Sequence, residues 1–276
     1  MVRRPLGNHH QGPDTLLVTS DAKQTGTATA GTAGGTAAET ATGTATETAR
    51  VRELVGAARV VLWDFDGPIC RLFARHSAKR VAADSVRWLE ERGLRGLLTA
   101  DERDSLDPHV VLRAVDRRHP GSDLVTELEE RLTREESKAA RTALPTAYAD
   151  PLIRTWTAVG ARLAVTTNNS PRVVRDYLTG RGLLGCFAPH LYGRTADLHR
   201  LKPDPDCLHR ALTAMGAAPS TALMIGDSPS DHEAALSAGV AFLGYARNEE
   251  KAELLRKSGA EAVVSSLEPV LWAVRG

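Results

Sequence analysis

Apolar runs of strand length alternate with helix-like stretches from residue 51 onwards. The apolar runs predict strands at 59–64, 161–167, 190–193, 221–226, 240–244 and 262–265. The stretches between them predict helices near 148–159, 171–180, 204–215, 229–238, 249–258 and 267–274. Strands that are apolar throughout and alternate with helices are typical of a parallel sheet covered on both faces. We therefore predict a doubly wound, Rossmann-like α/β core whose binding crevice lies at the carboxyl ends of the strands.

Residues 72–145 break this alternation, because they contain no good strand and three helix-like segments. These segments lie at about 72–92, 108–119 and 122–142. A block of about 70 residues is too long for an ordinary crossover connection. We therefore predict a separate α-helical cap, inserted into a core formed by residues 51–71 and 146–276. An elaborated crossover connection is the alternative.

Residues 1–50 have the composition of a disordered N-terminal tail. Within residues 21–50, Thr, Ala and Gly provide 24 of the 30 residues, and no Leu, Ile, Val, Met or aromatic residue occurs. Such a segment has nothing to bury, so it cannot offset a backbone entropy of about 1–2 kcal/mol per residue.

The charge balance argues against several kinds of partner. Lys and Arg number 35 and Asp and Glu number 34, so the net charge is +1. Nucleic acid as the main partner would need a basic surface excess, and a membrane span would need about 18 consecutive apolar residues. Cys70, Cys186 and Cys207 form neither a zinc pattern nor a disulfide framework, which favours a cytoplasmic protein. No apolar run of about 7–15 residues follows Arg3-Arg4, so no export signal is predicted. The oligomeric state stays unknown.

Two carboxylates follow the first predicted strand, in the run Asp64-Phe65-Asp66-Gly67. Residues two apart in an extended segment point to the same side, so Asp64 and Asp66 face one space. Gly67 lets the chain approach a ligand closely. A turn or a helix cap is the alternative reason for either Asp.

Polar residues also follow two later strands and begin a helix between them. Thr167 and Asn168 offer a hydroxyl, an amide and backbone N–H groups for an oxyanion, with simple helix capping as the alternative. Lys202 precedes Pro-Asp-Pro, whose rings hold it in place, although an isolated lysine is usually a surface charge. Asp227 and Asp231 lie in Gly-Asp-Ser-Pro-Ser-Asp, which also has the pattern of a capped helix start.

Taken together, these positions predict a magnesium site. The carboxyl ends of parallel strands meet at one edge, so Asp64, Asp66, Asp227 and Asp231 gather there. Each like-charged pair at about 4 Å and an effective dielectric constant of about 20 costs about 4 kcal/mol, unless a cation or protonation intervenes. No His or Cys joins the cluster, and hard oxygen ligands select Mg²⁺. We expect a small phosphorylated metabolite as the partner of this site.

The order of these motifs resembles the haloacid dehalogenase superfamily. The motifs are DFDG at 64–67, a strand ending in Thr-Asn at 161–168, KPDP at 202–205 and GDSPSD at 226–231. The resemblance covers about residues 58–250. The helical insertion is similar to the cap of the phosphoglycolate phosphatase-like branch.

The resemblance implies a mechanism for the matching residues. Asp64 would attack phosphorus to form an aspartyl-phosphate, and Asp66 would be the general acid and base. Thr167 and the backbone of Asn168 would hold the phosphoryl oxygens, and Lys202 would neutralise Asp64 and the phosphate. The implied Mg²⁺ ligands are Asp64, the carbonyl of Asp66 and Asp227, with Asp231 in or near the shell.

The predicted function is therefore Mg²⁺-dependent hydrolysis of a small phosphate monoester. A phosphotransferase or phosphomutase with the same nucleophile is the first alternative, and a non-catalytic binding module is the second. Pro68 departs from the Thr or Val that usually follows the family's first motif, which weakens family-based substrate assignments. At the start of the predicted cap, several basic side chains either meet an anionic leaving group or form a solvated face. These are Arg71, Arg75, His76 and Arg80.

Overall fold

The computed structural model describes residues 47–276. The predicted tail therefore lies outside the described residues, except for residues 47–50. These four residues are helical and belong to α1, which ends at residue 57, so the tail prediction is wrong for them. Val51, Leu54 and Val55 are buried in the core at helical spacing, which explains why α1 begins before the predicted core.

The described residues form a six-stranded parallel sheet in the order β5-β4-β1-β6-β7-β8. Each strand bound lies within one residue of its prediction. The strands are β1 Val60–Trp63, β4 Arg162–Thr166, β5 Leu191–Tyr192, β6 Ala222–Gly226, β7 Ala241–Tyr245 and β8 Val263–Val264. The central strand β1 pairs with β4 on one side and β6 on the other. The predicted doubly wound α/β core is confirmed.

Helices cover both faces of this sheet. Along β1, Val61 and Trp63 join one buried apolar cluster, whereas Val60 and Leu62 join another on the opposite face. A strand buried on both faces must be apolar at every position, which produces the continuous runs in the sequence. The flanking helices are α6 Ala149–Ala158, α7 Pro171–Gly180, α8 Leu184–Phe187, α9 Asp206–Met215, α10 Pro229–Ser237, α11 Glu249–Lys257 and α12 Glu268–Arg275, with 3-10 turns at Leu198–Arg200 and Pro219–Thr221. No helix within residues 47–276 is long and apolar enough to cross a membrane.

Between β1 and α6 the chain forms a helical block. Its helices are α2 Ala78–Glu91, α3 Ala100–Arg103, α4 Pro108–Arg118 and α5 Asp123–Ala140. The first helix begins later than predicted, because Ser77 caps it by accepting a hydrogen bond from the Arg80 N–H at 3.2 Å. The block has a buried cluster, which includes Leu89, Leu112 and Leu128 and is completed by Leu198 and Leu201 of the core. This cluster supports the division into core and cap at residues 72–145, which stays a prediction.

A two-stranded antiparallel ribbon joins the two ends of the helical block. It consists of β2 Cys70–Arg71 and β3 Leu144–Pro145. The sequence shows no good strand in residues 72–145, and the two-residue strand β3 lies at the end of that range. Thr146 extends the contact, because its N–H donates to the Ile69 carbonyl at 3.1 Å and its hydroxyl donates to the Gly67 carbonyl at 2.5 Å. The chain thus enters and leaves the block beside the turn that follows β1.

Candidate active site

Lys202 forms the centre of a buried ionic cluster at the carboxyl ends of the strands. Its ammonium donates to Asp64 Oδ1 at 2.7 Å and to the Thr166 carbonyl at 3.0 Å. Asp231 Oδ1 lies 2.5 Å away. The Asp64 N–H donates to the Ile225 carbonyl, which continues the β1–β6 ladder and fixes the position of Asp64. The sheet therefore sets the geometry of this contact.

Three carboxylates converge beside Lys202. Oxygens of Asp64, Asp227 and Asp231 all lie within 4.8 Å of one another. Two glycines make room for them. A Cβ on Gly67, at φ +124°, would lie 2.4 Å from Cγ of Asp227, and a Cβ on Gly226 would lie 2.4 Å from Cβ of Asp231. Only glycine permits this approach, so the two motif glycines shape the acidic cluster directly.

Asp231 both caps a helix and faces the cluster. Its Oδ2 accepts hydrogen bonds from the Ser228 hydroxyl at 2.7 Å and from the Ser228 and Asp227 N–H groups at 3.1 Å. The Ser228 hydroxyl accepts from the Asp231 N–H, completing a capping box at the start of α10. The sequence offers a capped helix start and an acidic site as alternative explanations for Asp231, and in the structure this residue belongs to both. Its Oδ2 caps the helix, and its Oδ1 contacts Lys202.

The electrostatics of the cluster favour an additional cation. Burial raises the pKa of Asp64 to about 6, against the opposing charge of Lys202. Burial likewise raises the pKa of Asp227 to about 7, although Lys251 contacts its Oδ2. Burial lowers the pKa of Lys202, but Asp231 and Asp64 outweigh it, so the pKa is raised and the lysine is charged. Buried carboxylates with raised pKa values and oxygen-only donors suit a hard divalent cation such as Mg²⁺.

Asp66 lies beside this cluster without joining it. Its Oδ1 accepts a hydrogen bond from the Leu72 N–H at 2.8 Å. Burial raises the pKa of Asp66 to about 6, although the hydrogen bond from Leu72 opposes the shift. A carboxyl with such a pKa can give and take a proton near neutral pH. The neighbouring Pro68 needs no N–H, since the turn is closed by hydrogen bonds of Gly67 and Cys70.

The turn after β4 carries Thr167 and Asn168. The Asn168 side chain brackets the Lys202 backbone, accepting from its N–H at 2.8 Å and donating to its carbonyl at 3.1 Å. The side-chain amide is therefore engaged with Lys202, and the binding of phosphoryl oxygens by the Asn168 backbone stays a prediction. The Thr167 hydroxyl is buried and donates to Asn169 Oδ1 at 3.1 Å. Ser170 occupies the N-cap position of α7 but makes no side-chain cap bond.

A basic cavity of about 600 Å³ opens beside Asp66 and Asp227. Arg71, Arg75 and His76, three of the four basic residues singled out in the sequence, line it. The fourth, Arg80, is exposed and does not line the cavity. Sequence reasoning missed two further cations in its wall, Arg247 and Lys251. Both follow β7, so the strand-end rule that found the aspartates applies to them as well.

Sequence reasoning also missed a second ionic cluster near the Thr167 turn. Arg194, just after β5, is buried and contacts Glu136 of α5 at 2.8 Å. No sequence motif marks either residue.

Comparison with known proteins gives the same family for most of the chain. The family model for haloacid dehalogenase-like hydrolases matches residues 58–239, which include every predicted site residue. A phosphoglycolate phosphatase from Thiobacillus denitrificans is 36% identical over 119 residues, which cover 42% of this chain and 50% of that protein. A phosphoserine phosphatase from Thermus thermophilus is 40% identical over 82 residues, which cover 29% of this chain and 32% of that protein. The chain thus spans half or less of these curated relatives.

The fold is shared with solved structures. CbbY from Rhodobacter sphaeroides, in complex with phosphate, has a TM-score of 0.54 at 20% identity and covers 76% of this chain and 94% of that chain. At this identity the likeness shows the fold alone.

Proposed function

Because the chain belongs to the haloacid dehalogenase-like hydrolases, we propose that it is a Mg²⁺-dependent phosphatase that hydrolyses a small phosphate monoester through an aspartyl-phosphate. The observation that carries this proposal is the buried contact between Lys202 and Asp64 at 2.7 Å, next to Asp227 and Asp231. Lys202 binds one oxygen of the Asp64 carboxylate, so the other oxygen can attack a phosphate ester.

The first half-reaction follows from the geometry of Asp64. Lys202 holds Oδ1, and within residues 47–276 no hydrogen bond reaches Oδ2. In the proposal Oδ2 attacks phosphorus while the bond between phosphorus and the ester oxygen breaks. Asp66, with its pKa raised to about 6, donates a proton to the departing oxygen, which leaves as an alcohol. Lys202 and the Asn168 N–H stabilise the phosphoryl charge. The neighbouring Thr167, Asn169 and Ser170 N–H groups already donate to the Tyr192 carbonyl, the Thr167 hydroxyl and Glu136.

The second half-reaction returns the enzyme to its starting state. Asp66 is now a carboxylate and takes a proton from water. The resulting hydroxide attacks phosphorus, the acyl phosphate bond breaks, and Asp64 is released together with inorganic phosphate. Asp66 ends protonated, ready for the next ester. Dividing one displacement into two steps in this way is the general advantage of covalent catalysis.

The acidic cluster is the proposed Mg²⁺ site. Asp64, Asp227 and Asp231 supply carboxylate oxygens there, and the Asp66 carbonyl is the further ligand that the family resemblance implies. Bound Mg²⁺ would neutralise charge on the transferring phosphoryl group. Lys251 already contacts Asp227, and this contact supports the proposal that a cation is favourable beside this carboxylate.

We further propose that the substrate's leaving group is an anion. The cavity beside Asp66 is lined by Arg71, Arg75 and Arg247, and no ion pair within residues 47–276 neutralises these three guanidinium groups. Guanidinium groups bind carboxylate and phosphate oxygens with matched geometry. The phosphoglycolate and phosphoserine named for two relatives both carry a carboxylate beside the phosphate ester.

Phosphate release from p-nitrophenyl phosphate tests the proposed reaction. We expect release with Mg²⁺, none with EDTA, and none from Asp64→Asn, whose amide is a poor nucleophile. Asp84→Asn, an exposed change paired with Arg87 in α2, is the matched control and should keep wild-type activity. Release by Asp64→Asn at more than about 1% of the wild-type rate contradicts the assignment, because losing a nucleophile costs far more than about 100-fold.

A matched pair of esters tests the anionic leaving group. Phosphoglycolate and ethyl phosphate share a two-carbon skeleton and differ in the carboxylate. We expect a higher kcat/KM for phosphoglycolate and a loss of that preference in Arg247→Met. Arg256→Met, which removes a guanidinium paired with Glu249, is the control. Equal kcat/KM values for the two esters contradict this part of the proposal.

A further inference from the structure

Arg194 reaches from the core into the helical block. It follows β5, and its side chain is 1% exposed. All of its guanidinium nitrogens donate to partners: Nε and Nη2 to Glu129, Nη1 and Nη2 to Glu136, and Nη2 also to Thr133, at 2.8–3.1 Å. These three partners lie on α5, the last helix of the block. One core arginine therefore holds α5 through a saturated set of charge-assisted bonds.

The same residues also hold the turn that carries Thr167 and Asn168. Arg194 Nη1 donates to the Asn168 carbonyl at 2.9 Å. Glu136 Oε2 accepts from the Ser170 N–H at 3.1 Å, and its Oε1 accepts from Asn169 Nδ2 at 3.0 Å. A carboxylate of α5 and a guanidinium of the core thus form hydrogen bonds with three successive residues of one turn.

We propose that Arg194 is a positioning residue: together with Glu136 it sets the turn Asn168–Ser170, and with it the Asn168 backbone that is proposed to bind phosphate, and completes that turn only when α5 is docked on the core. The inference rests on the proposed phosphatase function for its catalytic consequence. Arg194 itself touches no reacting atom. It acts through the Asn168 carbonyl, and Asn168 in turn brackets the Lys202 backbone.

The charges around Arg194 explain why the cluster is stable when docked. Glu136 and Glu129 face Arg194, and His109 of α4 faces Glu136 at 3.4 Å and Asp107 at 3.1 Å. Although burial acts in the opposite direction, Arg194 and His109 hold the pKa of Glu136 below its usual value. Undocking would separate Arg194 and the turn from Glu136, so water would have to replace every bond that Glu136 makes to them. The docked arrangement and the ordered turn therefore form together.

Variants of the cluster separate positioning from mere stability. Arg194→Met leaves the buried Glu136 without its partner and is expected to unfold at a lower temperature. The double variant Arg194→Met/Glu136→Gln removes both charges, so its melting temperature should recover toward wild type. Its kcat should stay about 100-fold low, the loss expected when reacting groups are misplaced by about 1 Å. Arg118→Met is the matched control, because Arg118 pairs with Glu102 inside the helical block.

Amide hydrogen exchange at Ser170 provides a readout that does not need activity. We expect this exchange to rise by about 10-fold or more in the double variant, because local opening is less costly, and to be unchanged in Arg118→Met. Wild-type kcat together with unchanged exchange in a folded double variant would overturn the inference. If the wild-type protein hydrolyses no ester, the proposed function fails, and Ser170 exchange alone decides on the positioning role.

Discussion

Replacing Lys202 with methionine should destabilise the metal-free protein strongly. The ammonium lies 2.7 Å from Asp64 and 2.5 Å from Asp231, and methionine preserves the length of the chain without its charge. The carboxylates left behind have oxygens within 4.8 Å of each other. At that separation, with an effective dielectric constant of about 20, their repulsion is about 3 kcal/mol. This agrees with the cost of about 3–5 kcal/mol for breaking a buried ion pair.

Urea unfolding in EDTA measures this loss. Tryptophan fluorescence is a suitable signal, because Trp63 and Trp156 are buried together in the core with ring centroids 5.7 Å apart. We expect a loss of about 3–5 kcal/mol in the free energy of unfolding at pH 7.5. The loss should shrink at pH 5. Removing Lys202 takes away a charge that lowers the pKa of Asp64, so this carboxyl holds its proton more readily in the folded state.

Two results would refute this reasoning. A loss below about 1 kcal/mol at pH 7.5 would mean that the contact contributes no more to the free energy of unfolding than a surface ion pair does. An equal loss at both pH values would mean that packing, and not charge, is responsible. Lys257→Met provides the control, because Lys257 is exposed and pairs with Glu253 one helical turn away, where little effect is expected.

Three further predictions concern the acidic cluster. In EDTA, the melting temperature of the wild type relative to Asp64→Asn should fall as pH rises from about 4 to about 7: burial raises the pKa of Asp64 above 3.8, so the folded wild type retains a proton that the unfolded form has released. Gly67→Ala should cost about 1–3 kcal/mol of stability and weaken Mg²⁺ binding in calorimetry, since its Cβ would overlap Asp227. Lys251→Met should lower the Mg²⁺ concentration for half-maximal activity, because Lys251 competes for Asp227.

Each of these predictions has a contrary outcome. A metal-free difference between the wild type and Asp64→Asn that is flat or rises between pH 4 and pH 7 contradicts the assigned direction of the Asp64 pKa shift. Gly56→Ala is the control for Gly67→Ala, since its Cβ would meet nothing within 4 Å. Equal Mg²⁺ affinity in both alanine variants would show that Asp227 is not a ligand. A Lys251→Met enzyme that needs more Mg²⁺ would show that Lys251 assists metal binding.

The sheet and the acidic cluster can be predicted from the sequence because each depends on a pattern within a short stretch of chain. A strand such as β1 is buried on both faces and must be apolar throughout. Aspartates directly after such strands meet at one edge, whatever the length of chain between them. The helix α1 escaped prediction because its first residues share the composition of the preceding segment.

The Arg194 cluster could not be predicted in this way. Arg194 lies 58 residues from Glu136 along the chain, and neither residue follows a pattern that marks it as buried. Their contact depends on how α5 docks against the core, which no periodicity encodes. The ribbon of β2 and β3 is similarly invisible, because each strand has two residues, too few for an alternating pattern.

That ribbon has a consequence for how the protein is assembled. Arg71 pairs with Leu144, so the chain leaves the core and returns to it at adjacent points. The core sheet therefore gains nothing from the length of the intervening segment, and doubling that length would add only about 0.6 kcal/mol of loop-closure entropy. The register of the parallel sheet is consequently independent of the length inserted between β2 and β3. What the insertion must still supply is the contact of α5 with the core, through Glu136.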